Sequence, residues 1–376
     1  MTCISSFLQQ VSEDCLYLNI FVPRDVNFSS PLQSLLPVMV WIHGGDFIAG
    51  SASKPMHDGR FISNFTHTIV VNVEYRLGAF GFLVSGKDPQ TSAAGNYGIL
   101  DQQAALVWVQ RNIAVFGGDP GKASKQTHTQ IHIPGQCLKI RHLFYVTLFG
   151  ESAGAQSVSL HLMIQSSKPL FKQAVLQSLP FSIPLKTRHD ALKLGKNFAK
   201  QTNCSVSDFV CLLSLPPQAV LSAQMKTSSK IVNPFRFLEV FETWGPYIDG
   251  ELIKEQAIAA FQKGHWQKEK AVLLGTTSEE GVLFVYGVFN KPVSAVECTV
   301  YITAIFKQHA LRILHKYLPL YRDADHRNMM AQVRQTQKKC ILTRVFMSWK
   351  GRNSGYLSRK TMKKLRLLCF PKGLVK

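Results

Sequence analysis

A serine lies between two glycines at Gly150-Glu151-Ser152-Ala153-Gly154. That G-x-S-x-G spacing suits a nucleophilic hydroxyl. The pentapeptide divides a short apolar run (Val146, Leu148, Phe149) from a stretch carrying Ala155, Val158, Leu160 and Leu162. It therefore reads as a strand, a sharp turn and a helix. In such a turn a side chain at Gly150 or Gly154 would strike neighbouring backbone. Ser152 must then hold a strained conformation that lifts its Oγ toward a substrate carbonyl. A hydroxyl placed this way performs acyl transfer when a base takes its proton, an acid orients the base and N–H donors receive the oxyanion. The backbone N–H of Ala153, directly after the serine, is one expected donor. A bare G-x-S-x-G also arises by chance, so the strand–helix context carries the reading.

The elements that must position this turn are legible on either side of it. Leu16 to Val22 alternates apolar and polar residues, as a strand does. Pro37 to Ile42, Thr68 to Val73 and Ala271 to Gly275 are apolar runs of the kind found in strands buried on both faces. Leu100, Ala104, Val107, Trp108 and Arg111 fall at helical spacing, with Gly117-Gly118 beyond them. Helices are also expected over Pro169–Leu179, His189–Gln201, Glu255–Trp266 and most of Ser294–Tyr317. Strands alternating with helices imply an α/β sheet with crossover connections. Ala123 to Tyr145 shows no helical period and no sustained alternation, and so reads as unstructured.

Five stretches together carry a family resemblance: Ser12-Glu13-Asp14-Cys15-Leu16-Tyr17-Leu18-Asn19, Trp41-Ile42-His43-Gly44-Gly45, Glu74-Tyr75-Arg76-Leu77-Gly78, Gly95-Asn96-Tyr97-Gly98 running to Phe116-Gly117-Gly118-Asp119-Pro120, and the serine turn itself. In this order they resemble the type-B carboxylesterase and cholinesterase-like family. The resemblance implies an α/β-hydrolase fold, with a mostly parallel central sheet flanked by helices and incomplete at both ends. It implies a domain over 11–335, broken by an off-family insertion at 123–145 and followed by a basic off-family tail at 336–376, expected to be disordered. Joining Lys122 to Val146 gives what looks like uninterrupted family sequence. The insertion thus reads either as a surface loop of this one protein or as a translated non-coding stretch.

The resemblance also assigns roles. Ser152 is the nucleophile, and the Gly44-Gly45-Asp46 turn supplies oxyanion donors through the N–H groups of Gly45 and Asp46, beside that of Ala153. Relatives carry a small residue where this chain has Asp46; a side chain turned to solvent leaves the hole intact. The acid is Glu280, with Glu279 as the register alternative. Arg76 and Asp101 occupy the positions of a buried ion pair, and Cys204 and Cys211 those of a disulfide. The base is missing from this pattern. The order in this fold is serine, acid, histidine, and after Glu280 only His309, His315 and His326 remain. The first two fall in a helical pattern and the third in a polar loop or helix start. His161 lies nine residues beyond Ser152 on its own helix, about 13 Å along the axis. No histidine matches the triad position, so negligible turnover is expected of the polypeptide as written. Loss of a triad base costs roughly six orders of magnitude in kcat. A non-catalytic cholinesterase-like binding or adhesion protein is the alternative on the same fold.

Composition bounds the rest. The 376 residues are 46% hydrophobic, ample for a large core. The net charge of +20 is uneven: Lys338–Lys376 holds twelve Lys/Arg and no acid, and 123–145 holds Lys125, Lys139 and Arg141. Outside these two segments the balance is +5, so no nucleic-acid partner is expected. The family resemblance implies a small-molecule ester as the partner. No uninterrupted apolar window is long enough to span a membrane. No His/Cys cluster has ligand spacing, so no metal and no cofactor are expected. Met1–Gln10 has no signal-peptide pattern and offers Phe7 but no Trp, which gives choline selectivity no support. Sequons at Asn27, Asn64 and Asn203, eight cysteines and the family point to a secreted or lumenal glycoprotein.

Overall fold

The computed structural model describes residues 12–28, 35–86, 88, 90–120, 128–133, 136–141, 146–181, 183–227, 242–320 and 324–333; the side chains of 128–133 and 136–141 are not described. The expectations for Met1–Gln10 and for 336–376 lie outside these residues.

The strands are β1 (Leu18–Phe21), β2 (Val38–Ile42), β3 (Ile69–Val73), β4 (His128–Ile133), β5 (Gln136–Arg141), β6 (Val146–Glu151), β7 (Gln173–Gln177) and β8 (Ala271–Gly275). Among the described residues, six of them form one sheet in the order β1-β3-β2-β6-β7-β8. Only β1 runs antiparallel to its neighbour. The apolar runs explain this arrangement: all five residues of β3 are buried, and β2 and β6 lie at the centre, where helices cover both faces. The helix Ala153–Met163 is buried from Ala153 through Leu162, wedged against β2, β6 and β7. Burying each large aliphatic side chain, such as Leu160 or Leu162, contributes ~1.5–3 kcal/mol. Tyr97–Asn112 passes into a 3-10 turn, Ile113–Phe116, that ends at Gly117 with φ 81°.

Three expectations are corrected. Ala271–Gly275 is a strand but not a buried one: β8 ends the sheet among the described residues, with Ala271, Leu273 and Gly275 exposed and Val272 and Leu274 half-buried. Pro169–Leu179 is not a helix: Gln165–Leu170 is a 3-10 turn and Gln173–Gln177 is strand β7. Its burial alternates, Ala174 and Leu176 inward, and parallel pairing to β6 and β8 decides a segment too short to settle by local pattern. Within 123–145, β4 and β5 pair antiparallel with each other and stay outside the main sheet. The stretch is therefore not without pattern. Its alternation is brief and flanks Pro134-Gly135, a dipeptide that marks turns.

Helices Val282–Val288, Ala295–Phe306 and Ala310–Tyr317 and residues 327–333 build a second, smaller core around Val285, Cys298, Ile302, Leu314 and Met329. Gly281 joins it to the segment after β8. A Cβ there would lie 2.1 Å from the carbonyl oxygen of Ala331. The parallel register aligns Ile42, Gly150, Leu176 and Leu274 across the sheet. Segments leaving β2, β6, β7 and β8 thus emerge along one edge, the usual place for a site in such sheets.

Candidate active site

β6 delivers Ser152 to that edge at φ 54° and ψ −120°, a conformation L-residues rarely adopt and one that costs about 1–3 kcal/mol. Two hydrogen bonds hold it: Ser152 N–H donates to Gln177 O (3.0 Å), and Gln156 N–H donates to Ser152 O (2.9 Å). The glycines are required by contact. A Cβ on Gly154 would sit 2.0 Å from Ile42 O, and one on Gly150 would sit 2.5 Å from the Gly154 carbonyl carbon. The helix therefore packs its first turn directly on the end of β2.

β2 runs on into the turn His43-Gly44-Gly45-Asp46-Phe47. A Cβ on Gly44 would lie 3.2 Å from Ser152 Cβ and 2.9 Å from Glu151 Oε2, so this turn borders Ser152. Gly45, Asp46 and Phe47 all have positive φ (121°, 52° and 59°), which aspartate tolerates better than most residues. Phe47 is buried edge-on against Phe82, and its carbonyl accepts from Gly78 N–H (2.7 Å). Asp46 is half-buried.

Beneath the turn lies a polar group that motif reading missed. His43 Nδ1 is 2.9 Å from Gly44 O, its Nε2 is 3.5 Å from Glu74 Oε2, and its ring stacks on Tyr75. Tyr75 donates its hydroxyl proton to His43 O (2.8 Å). Glu74 Oε1 accepts from Ser51 Oγ (2.6 Å) and Ala52 N–H (2.8 Å). Burial pushes the Glu74 carboxyl upward, but the adjacent His43 ring and the bonds from Ser51 and Ala52 prevail and hold it below the ordinary value. This carboxylate clamps both ends of the 43–52 loop. Its signal in the sequence was a charge placed directly after the buried strand β3.

Glu280 is buried and Glu279 exposed. Glu280 Oε1 accepts from Ser178 Oγ (2.5 Å) and Thr277 N–H (2.7 Å). Ser178 follows β7, has φ 54° and donates its N–H to Gly275 O (2.8 Å). A short path thus runs from Ser152 through Gln177 and Ser178 to Glu280. Ser178 is a second residue that local pattern did not reveal.

No described side chain hydrogen-bonds Ser152 Oγ. His161 is buried, with Nδ1 2.9 Å from Ser167 Oγ and Nε2 3.1 Å from Gln102 Oε1. Burial, with Lys270 nearby, pulls its pKa down to about 3. His309 and His315 are exposed, and His326 is buried at the start of residues 327–333, in the smaller core. The side chains of His128, His132 and His142 lie outside the described residues. Among those described, no group of three or more His, Cys, Asp or Glu side chains could hold a metal ion.

The other expected residues lie apart from this edge or brace it. Arg76 binds Asp101 through Nε (2.8 Å), one terminal nitrogen (2.9 Å) and its backbone N–H (3.0 Å). Cys204 and Cys211 form a disulfide with Cα atoms 5.8 Å apart. Asn27, Asn64 and Asn203 are all exposed. No helix among the described residues is long and apolar enough to cross a membrane.

A model of the carboxylesterase family matches residues 2–124 and 145–363, a wider span than the motif-bearing stretch, with 125–144 left unmatched. The chain belongs to the carboxylesterase family. Relatives include a crystal protein of Dictyostelium discoideum, 37% identical over 75% of this chain and 45% of its own length. The cholinesterase of Mus musculus is 37% identical over 74% of this chain and 41% of its own length. The acetylcholinesterase of Bungarus fasciatus is 38% identical over the same shares. The chain thus spans less than half the length of these relatives. Among solved structures, a PNB esterase superposes with a TM-score of 0.65 at 29% identity, covering 89% of this chain and 62% of that one. The fold is the α/β-hydrolase fold.

Proposed function

We propose that this chain carries the acylation machinery of a serine ester hydrolase without a seated general base. Ser152 Oγ is the atom that attacks the ester carbonyl. The N–H groups of Gly45, Asp46 and Ala153 receive the oxyanion, each worth roughly a hundredfold or more in rate. Glu280, held by Ser178 and Thr277, is the acid that would orient a base. The observation that carries the reading is Ser152 at the edge of the sheet in its strained conformation, bordered by the Gly44 turn and without a hydrogen-bond partner for Oγ among the described residues. A small-molecule ester is the substrate, as the cholinesterases and esterase among the relatives suggest. The disulfide and three exposed sequons support passage through the secretory pathway.

The unpartnered Oγ also favours a second reading, in which the same site binds without catalysing. One experiment separates the two. The purified polypeptide and its Ser152→Ala variant are exposed to an activated fluorophosphonate, and the peptide carrying residue 152 is read by mass spectrometry. The proposal expects a slow adduct on Ser152, absent from the variant. An inert Ser152 in folded protein would leave only the binding reading standing.

A further inference from the structure

The helix Arg60–Thr66 turns its small Ser63 inward, where Oγ donates to Phe21 O (3.1 Å), and turns two phenylalanines outward. Phe61 is 75% exposed and Phe65 78%. Their rings stack on each other, 5.6 Å apart and within 9° of parallel. In the preceding 3-10 turn, Pro55–His57, Met56 is 83% exposed. Two stacked rings left in water form an exposed apolar patch, the kind of surface on which an occupant can rest.

That occupant can be read from the same helix. Asn64-Phe65-Thr66 is an N-x-T sequon, and Asn64 lies three residues from Phe61, its neighbour on the helix surface. Asn64 is exposed, and its Oδ1 accepts from Arg24 N–H at a long 3.4 Å. Its amide nitrogen, the atom that would carry sugar, makes no hydrogen bond among the described residues. We propose that the Phe61–Phe65 pair is the resting surface of an N-linked glycan on Asn64, with the first N-acetylglucosamine laid over the rings. The C–H groups on one face of that sugar are apolar and slightly positive, and an aromatic face is apolar and negative. The other two sequons lack such a platform: Asn203 has no aromatic residue within four positions, and Asn27 has Phe28 alone.

The modification itself is ordinary transfer. The C1–O bond of a lipid-pyrophosphate-linked oligosaccharide breaks, a C1–N bond forms to the Asn64 amide nitrogen, and the amide proton leaves with the pyrophosphate. The inference rests on the secretory reading above, so the test supplies the compartment. The full chain is expressed behind an added secretory leader as Asn27→Gln/Asn203→Gln, leaving Asn64 as its sole sequon. Occupancy is read by mass spectrometry. Melting is measured intact, after trimming to one N-acetylglucosamine, and after complete removal of the glycan.

The expected result is an occupied Asn64 and a Tm that survives trimming. Removal of the last sugar then lowers Tm by on the order of 2 °C. In Phe61→Ala/Phe65→Ala, exposed positions whose loss leaves the core intact, that drop shrinks below half. An empty Asn64 overturns the proposal, as does a Tm drop of equal size with and without the two rings. So does association of the unglycosylated chain that Phe61→Ala/Phe65→Ala abolishes while sugar has no effect, since a second copy would then own the surface. If the natural protein carries no sugar at any sequon, the secretory reading fails while the engineered comparison still reports on the platform.

Discussion

Replacing Gly154 by alanine should displace Ser152 and the Gly44-Gly45-Asp46 turn together. The new Cβ would lie 2.0 Å from Ile42 O, 2.8 Å from Ile42 C and 3.0 Å from His43 O. Real Cβ contacts essentially never fall below 3.0 Å, so the helix Ala153–Met163 and the end of β2 must part by about 1 Å. Neither can yield cheaply. Ile42 is registered against Val73 on one side and Gly150 on the other, and the helix is buried along nearly its whole length. Overpacking of this kind costs ~1–3 kcal/mol. A misplacement of about 1 Å at a reacting group costs on the order of a hundredfold in rate. The assay has two arms: the urea midpoint, and the second-order rate constant for fluorophosphonate labelling of Ser152. Gly154→Ala should lower both. A variant with wild-type midpoint and wild-type labelling would refute the close-contact argument for the elbow.

Three further outcomes follow from particular contacts. Lys270 is buried over the Phe171 ring, donating to Lys168 O (2.7 Å) and Phe171 O (2.5 Å). Burial, opposed by Glu269 and reinforced by Lys168, pulls its pKa down to about 7. The unfolded chain keeps that proton up to about pH 10.4. It therefore binds more protons than the folded chain across that window, and stability should rise with pH from about 7 toward 10. Lys270→Met should flatten the rise in pH-resolved urea unfolding. Cys204→Ser/Cys211→Ser opens a loop closed across a sequence separation of 7 and should cost ~2–3 kcal/mol, read as a lower Tm under non-reducing conditions. Excising residues 125–144 removes β4 and β5, which among the described residues pair with each other and not with the main sheet, and should leave Tm and Ser152 labelling unchanged or improved.

What the sequence disclosed depended on how local the cause was. The serine turn, the buried runs of β2, β3 and β6 and the helix after Ser152 are dictated by neighbours within a few residues, and motif and periodicity reached them. β7 was misread because Gln173–Gln177 is five residues long, and its strand character comes from ladders to β6 and β8. Ser178 meets Glu280 across 102 positions, and Glu74 meets Ser51 across 23. No window on the chain contains such partnerships, and only the alignment of strand ends creates them. The β4–β5 pairing was missed for a different reason: its alternation is real but lasts only a few residues per strand, on either side of Pro134-Gly135.

The central proposal is that Ser152 is a nucleophile in place with no base beside it among the described residues. Its most direct test follows a p-nitrophenyl ester in parallel with titration of Ser152 by fluorophosphonate, on wild type and Ser152→Ala. The account predicts stoichiometric but slow labelling of Ser152 and steady-state ester turnover no faster than that of Ser152→Ala. Sustained turnover well above that of Ser152→Ala would contradict it, because a base would then have to stand beside Ser152.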